Sequence, residues 1–263
     1  MSYQRVLVMK DDPGTICFTV DEWAHPAVLQ DIRDLFDGYG VRATFFCTHG
    51  GIGVAPHERA LHPNYRRNGS TLQELTAKIG ERAAASFDES DLYRHVLRTT
   101  LNFAPEAKGA RSHSLFYDSV MIPLYREFGL EYDSSYQLPL IANLQPIWKE
   151  YDVLELPIYF ADHFELKTGA TGFDISLLHL ERPGLKIINL HPNMVYLNAV
   201  SDQHYLSSKP FYHDQEKLLE ARFHGRGIRS MVLDLLEHVA SKSLPTATLG
   251  DVNRQWRSRP RWA

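Results

Sequence analysis

The sequence has few cysteines, no long apolar stretch and no clear excess of either charge. Only two of its 263 residues are cysteines, Cys17 and Cys47, and each lies within an apolar segment. This usage predicts buried free thiols and a reducing, cytoplasmic setting. No apolar run approaches the ~18 residues of a membrane helix, so we expect no membrane span. The apolar run at residues 6–9 is too short for a signal peptide.

The charge balance argues against one large class of partner. The chain has 28 Lys and Arg residues against 32 Asp and Glu residues, for a formal net charge of -4. A protein that binds nucleic acid needs a basic face for the phosphate backbone, so nucleic acid is not an expected partner. With no internal repeat and no Pro/Ser-rich linker, the sequence favours a single domain over residues 1–263.

Histidine is the residue type that stands out, with 13 copies. Its distinctive uses are metal ligation and proton transfer near neutral pH. Most copies in any protein serve packing or solubility, so the position of each histidine in the predicted fold must decide its role.

Short apolar runs alternate with amphipathic segments along most of the chain. A turn signature at residues 11–14 follows the first apolar run. Predicted strands cover residues 16–20, 41–47, part of 48–63, 107–111, 151–157, 185–190 and 246–249. Predicted helices cover residues 26–38, 71–85, 92–97, 121–128 and 228–239. This alternation predicts an α/β barrel of parallel strands, in which chemistry gathers at the carboxyl ends of the strands.

Charged and imidazole side chains follow the predicted strands in turn. They are Asp21 and Glu22, then His49, His57 and His62, then Arg111 and His113, then Asp162 and His163, and finally His191. Each could be a satisfied loop residue, but their recurrence favours a site because unpaired charges near barrel ends are costly.

These residue types suit metal-assisted hydrolysis. A divalent ion held by a carboxylate and imidazoles lowers the pKa of a bound water molecule. A second carboxylate can accept the proton of that water, and a separate imidazole can protonate the leaving group. An arginine beside the base would hold it charged and oriented.

The motifs resemble, in order, those of the polysaccharide deacetylases, the NodB-like carbohydrate esterase family four. They are FTVDE at 18–22, RATFF at 42–46, HERALHPN at 57–64, ARSHS at 110–114, NLHP at 189–192 and the segments 225–227 and 248–252. Among family members, the sequence is most similar to deacetylase-like proteins of O-antigen or capsule biosynthesis.

The resemblance implies a distorted (β/α) barrel with about seven parallel strands. It implies Asp21 as the general base, Glu22 and His62 as metal ligands, Arg111 as the residue that orients Asp21, and His191 as the general acid. The implied cofactor is a divalent metal, Zn²⁺ in the first place, with Co²⁺, Mn²⁺ and Ni²⁺ as alternatives. The implied reaction removes an N- or O-acetyl group from a sugar.

The sequence departs from the family pattern at two ligand positions. Arg66 stands where the family has its second ligand histidine, and Glu22 stands where it usually has an aspartate. We expect His113 to be the replacement ligand, with Asp162 and His57 as alternatives. His113 could instead hydrogen-bond to the substrate or to a ligand residue.

Three further residues are candidates for substrate binding. Trp23 and Tyr159 could stack on a sugar, although aromatic side chains at strand ends also serve rim packing. Asp162 could contact substrate or orient the imidazole of His191. Arg66 and its neighbour Arg67 could contact the phosphate of a nucleotide- or lipid-linked sugar, or could simply be solvated.

The leading hypothesis is a metal-dependent deacetylase that removes an N-acetyl group from an amino sugar in surface-polysaccharide biosynthesis. The substitution at Arg66 motivates an alternative, a catalytically inactive sugar-binding protein on the same scaffold. A third hypothesis is a metal-independent amide hydrolase of the same fold, acting for example on a small cyclic amide.

Overall fold

A computed structural model of the chain describes residues 14–51 and 53–260. The apolar run at 6–9 and most of the turn at 11–14 lie outside the described residues. The strands are β1 Thr15–Asp21, β2 Ala43–Cys47, β3 Glu58–Leu61, β4 Gly109–Ala110, β5 Tyr132–Asp133, β6 Ile147–Trp148, β7 Leu154–Glu155, β8 Ile158–Ala161 and β9 Leu185–Leu190. The helices are α1 Pro26–Gly38, α2 Ser70–Ile79, α3 Glu81–Ala84, α4 Glu89–Leu101, α5 Met121–Glu127, α6 Asp162–Thr168, α7 Pro192–Tyr196, α8 Asp202–Ser207, α9 Gln215–Glu220, α10 Ile228–Ser241 and α11 Leu249–Arg257.

The strands form one curled mixed sheet in the order β6-β7-β5-β4-β3-β2-β1-β9-β8. All neighbouring strands are parallel except the pair β6 and β7. A bridge between Gln137 and Ile158 connects the chain after β5 to β8 and curls the sheet towards a barrel. The predicted barrel-like α/β fold is confirmed.

The strand count differs from the expected seven or so, because nine strands occur in the described residues. Strands β4 to β7 are each two residues long. Strands β4 and β7 fall within the predicted strands 107–111 and 151–157, but β5 and β6 were not predicted, because elements of that length carry no readable alternation of apolar and polar residues.

The centre of the sheet follows directly from its sequence. Strand β1 pairs with β2 on one side and with β9 on the other, and all three are apolar over most of their length. A parallel strand that is covered on both faces needs such a continuous apolar run. Phe18, Phe36 of α1 and Phe45 of β2 pack together beneath the sheet.

Helix α1 begins where the sequence predicts. His25 caps it by accepting a hydrogen bond at Nδ1 from the backbone N–H of Ala27 (3.2 Å), and Pro26 occupies the first helical position. The buried residues of the helix are Val28, Leu29, Ile32 and Phe36. This spacing places one apolar stripe against the sheet.

The C-terminal segment differs from the prediction of a last strand at 246–249. Only Thr246 forms a bridge, with Ile16, and helix α11 starts at Leu249. The hydroxyl of Thr248 accepts a hydrogen bond from the N–H of Asp251, and the Asp251 carboxylate accepts one from the N–H of Thr248. This reciprocal cap starts a helix despite the β-branched residues before it.

Both cysteines are buried free thiols, as predicted. Burial is the main cause that raises the pKa of the Cys17 and Cys47 thiols. The described residues also contain no helix with the length and apolar content needed to cross a bilayer.

Candidate active site

The carboxyl ends of the parallel strands bring several predicted site residues to one edge of the sheet. Asp21 ends β1, and His62, Arg111, Asp162 and His191 directly follow β3, β4, β8 and β9. Since parallel neighbours all end at the same edge, residues far apart in sequence become neighbours here.

The centre of this cluster is a buried arginine. Arg111 donates from Nη1 to Asp21 Oδ1 (3.1 Å), to the hydroxyl of Thr19 (2.9 Å) and to Asn189 Oδ1 (2.5 Å). Its Nε and Nη2 donate to the carbonyl and the hydroxyl of Ser134 (2.9 and 2.8 Å). The side chain of Arg111 is completely buried, so its position is fixed by these acceptors.

Asn189 is a site residue that the sequence analysis did not single out. Its Nδ2 donates to Asp21 Oδ2 (3.3 Å), so each oxygen of this carboxylate has a donor. Asn189 lies two residues before His191 along β9, and side chains two apart on a strand share a face. This alternation along the strand could have identified Asn189 as a site residue from the sequence.

Asp21 is held in its charged form. Burial acts to raise its pKa, but His62, Arg111 and His191 outweigh burial and lower the pKa well below its usual range. The resulting carboxylate is ionised at any physiological pH. Near neutral pH, Arg111 is the permanent positive charge in this balance.

His191 is paired with Asp162. Its Nδ1 donates to Asp162 Oδ1 (2.6 Å), and its backbone N–H donates to Asp162 Oδ2 (2.5 Å). Burial lowers the pKa of His191, but the Asp162 carboxylate, through its charge and its hydrogen bond, and the charge of Asp21 together outweigh burial, and the net shift is upwards. This pairing leaves Nε2 directed at the carboxylate of Asp21, 3.6 Å from its Oδ2.

His62 follows β3 and faces the same carboxylate. Its Nδ1 is buried without a hydrogen-bond partner and lies 3.9 Å from Asp21 Oδ1. Burial lowers the pKa of His62 to about 4, so its imidazole is neutral at physiological pH. The ring of His113 lies edge-on to it, with ring centroids 5.5 Å apart.

Glu22, predicted as a metal ligand, is not part of this cluster. It is completely buried, and neither carboxylate oxygen accepts a hydrogen bond from a described residue. The Cys47 thiol lies beside it and donates a hydrogen bond to the carbonyl of Phe45 (3.8 Å). Burial raises the pKa of Glu22 to about 7, and Cys47 and Arg59 oppose that rise only in part.

The residues present therefore do not fit the metal-ligand set that the resemblance implied. His62 has the required neutral, unpartnered nitrogen, and His113 is beside it, but Glu22 does not form a group with these two histidines in which the ligating atoms lie within 4.8 Å of one another. In the described part of the chain, the group of His and Asp side chains with ligating atoms within 4.8 Å is Asp162, His163 and His191. Asp162 in that group is already engaged by the hydrogen bonds to His191.

Comparison with known proteins identifies the family of the chain. A family model described as WbmS-like polysaccharide deacetylase matches residues 16–209. The chain belongs to the WbmS-like polysaccharide deacetylase family. No curated protein matches the sequence.

Two solved structures extend this comparison. The structure of WbmS from Bordetella bronchiseptica, named for polysaccharide deacetylation in O-antigen biosynthesis, is 29% identical, with a TM-score of 0.71 over 86% of this chain and 91% of that chain. A structure from Mycobacterium smegmatis, also named as a polysaccharide deacetylase, is 15% identical, with a TM-score of 0.56 over 97% and 95% of the two chains. The second similarity supports the fold alone.

The two aromatic side chains predicted to stack on the substrate differ in their exposure to solvent in this WbmS-like protein. Trp23 is 51% exposed and packs edge-on against the rings of His49 and His213. Tyr159 is buried in the core, where its hydroxyl donates to the carbonyl of Leu178 (2.8 Å). The structure does not support a platform at Tyr159, because all of β8 is enclosed.

Three other predicted residues also have a defined place in the structure. Asp162 is completely buried and uses both oxygens on His191, which supports the orienting role and not substrate contact. His57 lies before the start of β3, away from this cluster, where its Nδ1 accepts from the N–H of Ala43 and its ring packs on Phe36 and Phe45. Arg66 is exposed.

A cavity of about 640 Å³ lies away from this cluster. Its lining includes His57, Glu58 and Arg59, at the start of β3, and therefore at the opposite end of the sheet from Asp21. The cavity shares no lining residue with the side-chain cluster that surrounds Asp21.

Proposed function

We propose that this protein hydrolyses an acetyl group, in particular an N-acetyl group, from an amino sugar in surface-polysaccharide biosynthesis. One observation carries the proposal: Asp21, fixed by Arg111, faces His191 Nε2 at 3.6 Å, and His191 is itself fixed by Asp162. An ionised carboxylate opposite an oriented imidazole is the pairing that general base and general acid catalysis requires. Membership of the family supports the choice of reaction.

Asp21 is the general base in this proposal. It removes a proton from a water molecule, whose oxygen then bonds to the acetyl carbon and gives a tetrahedral intermediate. The bonds from Arg111 and Asn189 hold the carboxylate in place, so no reorientation is needed when it accepts the proton.

His191 is the general acid. As the carbon–nitrogen bond breaks, Nε2 donates its proton to the departing amine, and acetate is released with the free amino sugar. The raised pKa of His191 increases the fraction of protonated imidazole near neutral pH. Asp162 stabilises that imidazolium and fixes the ring so that Nε2 faces the reacting group.

The proposed substrate is a nucleotide- or lipid-linked amino sugar in the cytoplasm. Arg66 supports the phosphate-bearing class, because it is exposed near the strand ends and has no ion-pair partner among the described residues. No step of the proposal runs through a metal ion, since Glu22 is not with His62 and His113.

A second candidate is a sugar-binding protein without turnover. The specific observations in its favour are Arg66, at the position of a ligand histidine, and the placement of Glu22 beside Cys47. This candidate predicts binding of the same acetylated sugars with no release of acetate.

The deciding experiment measures acetate released from a panel of free, nucleotide-linked and lipid-linked N-acetylated amino sugars. Asp21→Asn is expected to abolish release. The matched control is Asp34→Asn, because Asp34 is an exposed residue of α1 that pairs only with Gln30. Assays with EDTA and with added Zn²⁺ test the metal. Absence of release by the wild type from every sugar, with binding retained, would favour the second candidate.

A further inference from the structure

A hydrogen-bonded chain of three side chains lies on the rim of the candidate site. Lys209 donates from Nζ to the hydroxyl oxygen of Tyr205 (2.7 Å), and the Tyr205 hydroxyl donates to the hydroxyl oxygen of Tyr212 (3.1 Å). The Lys209 ammonium also lies over both rings, 4.3 and 4.2 Å from their centroids. Within the described residues it has no carboxylate partner, so its charge acts on the two tyrosines.

The order of donors in this chain is fixed by chemistry. An ammonium group can only donate, so the oxygen of Tyr205 accepts from Lys209. The single hydroxyl proton of Tyr205 is then given to Tyr212. Tyr212 accepts that bond, which leaves its own proton free to donate. No residue in the described ranges accepts this proton.

Several contacts place Tyr212 beside the catalytic pair. Its carbonyl accepts from Asn193 Nδ2 (2.8 Å), and Asn193 lies two residues after His191. Helix α8, which carries Tyr205, contacts helix α6, which begins at Asp162. The rim continues through His213, whose ring lies edge-on to both Tyr212 and Trp23, and Trp23 is two residues beyond Asp21.

Tyr212 also remains a donor under working conditions. Burial raises its pKa to about 12, and the carboxylates of Asp162 and Asp21 add to that rise. Its hydroxyl is therefore protonated at neutral pH. The influence of these two carboxylates agrees with a position next to the reacting groups.

We propose that Tyr212 is a further catalytic residue, which donates a hydrogen bond to the acyl oxygen of the substrate as negative charge develops there. Lys209 and Tyr205 act through it as positioning residues. This inference rests on the proposed deacetylase function, because it assigns the donor for the oxyanion of that reaction.

The physical basis is a donor that is oriented before the reaction begins. A hydroxyl fixed by its neighbours stabilises a developing oxyanion without reorganisation. Since Tyr212 already accepts from Tyr205, and Tyr205 from an ammonium group, the bonds polarise one another in one direction. The Tyr212 hydroxyl is then a stronger donor than an isolated phenol.

The kinetic test uses Tyr212→Phe with the acetylated sugar that the wild type hydrolyses. We expect kcat to fall about 10²-fold, the size of effect seen when one oxyanion donor is removed, with KM little changed. Tyr196→Phe is the matched control: it removes a tyrosine hydroxyl from nearby α7 that accepts only from Gln215, and kcat should not change. Tyr205→Phe and Lys209→Met should lower kcat by less, and should add nothing in the Tyr212→Phe background.

A binding test reads the same donor without turnover. Acetate, the product, carries the oxygens that Tyr212 would contact, and its Kd can be measured by calorimetry. Loss of a hydrogen bond to a charged group predicts about tenfold weaker acetate binding in Tyr212→Phe. Tyr196→Phe should bind acetate as the wild type does.

The outcomes separate this inference from the proposed function. If Tyr212→Phe keeps both kcat and acetate affinity while Asp21→Asn is inactive, the inference is overturned and the deacetylase proposal stands. If the wild type releases no acetate from any sugar, the proposed function fails, and the donor role of Tyr212 is then tested by acetate binding alone. Tyr212-dependent binding would then support the donor, and absent or Tyr212-independent binding would overturn it.

Discussion

Arg111 and Asp21 form an ion pair at 3.1 Å in which the arginine side chain is completely buried. The guanidinium donates to Asp21 and to three residues around it, Thr19, Ser134 and Asn189, and so fixes the orientation of the carboxylate. A buried charge that loses such a partner is left without compensation, so the pair links the stability of the fold to the geometry of the candidate base.

Arg111→Met is expected to lower the free energy of unfolding by about 3–5 kcal/mol, because it leaves Asp21 as a buried, unpaired charge. Urea unfolding followed by circular dichroism measures the change. Adding Asp21→Asn to this variant should restore part of the loss, since it removes the orphaned charge.

The matched control is Arg94→Met. Arg94 pairs with Glu127 on the surface, where an ion pair contributes about 0–1 kcal/mol. Equal losses in the Arg111 and Arg94 variants would contradict a special role for the buried pair.

Asp162→Asn is expected to shift the alkaline limb of the activity profile to lower pH. The carboxylate raises the pKa of His191, and the protonated imidazole is the proposed acid, so activity falls as pH rises through that pKa. Without the carboxylate, deprotonation occurs at lower pH. The measurement is kcat as a function of pH.

Asp174→Asn provides the control for this profile. Asp174 caps a short helical turn by accepting from the N–H of Ser176, away from His191. If the alkaline limb of the kcat profile lies at the same pH in Asp162→Asn as in the wild type, Asp162 does not set the pKa of His191.

Glu22→Gln is expected to stabilise the protein at alkaline pH. Burial raises the pKa of Glu22 from its ordinary 4.5 to about 7, so the folded state binds the proton more tightly than the unfolded state. Stability is then lost as pH rises from the unfolded pKa through the folded one, by on the order of 3 kcal/mol. Gln keeps the shape without the charge, so the gain should grow as pH rises above 4.5, be complete above about 7 and vanish under more acidic conditions.

Urea unfolding at acidic and alkaline pH tests this, with the exposed Glu220→Gln as control. The same dependence on pH in Glu22→Gln and the wild type would contradict a buried, titrating Glu22. Zn²⁺ titration of Glu22→Gln should match the wild type, because Glu22 is not beside His62 and His113. Loss of Zn²⁺ affinity in this variant alone would restore the ligand role implied by the family resemblance.

Trp23→Ala is expected to raise KM for the sugar about tenfold with little change in kcat, because an exposed indole next to Asp21 offers stacking area but no reacting group. Steady-state kinetics with the accepted sugar measures both constants. Tyr151→Ala removes an equally exposed ring before β7 and should leave KM unchanged. A fall in kcat with constant KM in Trp23→Ala would argue against a platform.

The sequence determined the parallel core and the residues at its edge. The apolar runs that became β1, β2 and β9 are long enough to be recognised, and parallel strands end on one side of a sheet. For that reason the positions of Asp21, His62, Arg111 and His191 could be predicted from the strands before them, and their order matched the family.

Only the tertiary structure decided which side chains meet. Glu22 follows Asp21 directly in the sequence. In the folded chain the carboxylate of Asp21 lies beside Arg111, whereas that of Glu22 lies beside Cys47. Strands of two residues carry no period, so β5 and β6 were not predicted, whereas β4 and β7 lie within the predicted strands 107–111 and 151–157. The chain from Lys209 to Tyr212 depends on hydrogen bonds between side chains of a loop and a short helix, whose directions no local pattern encodes.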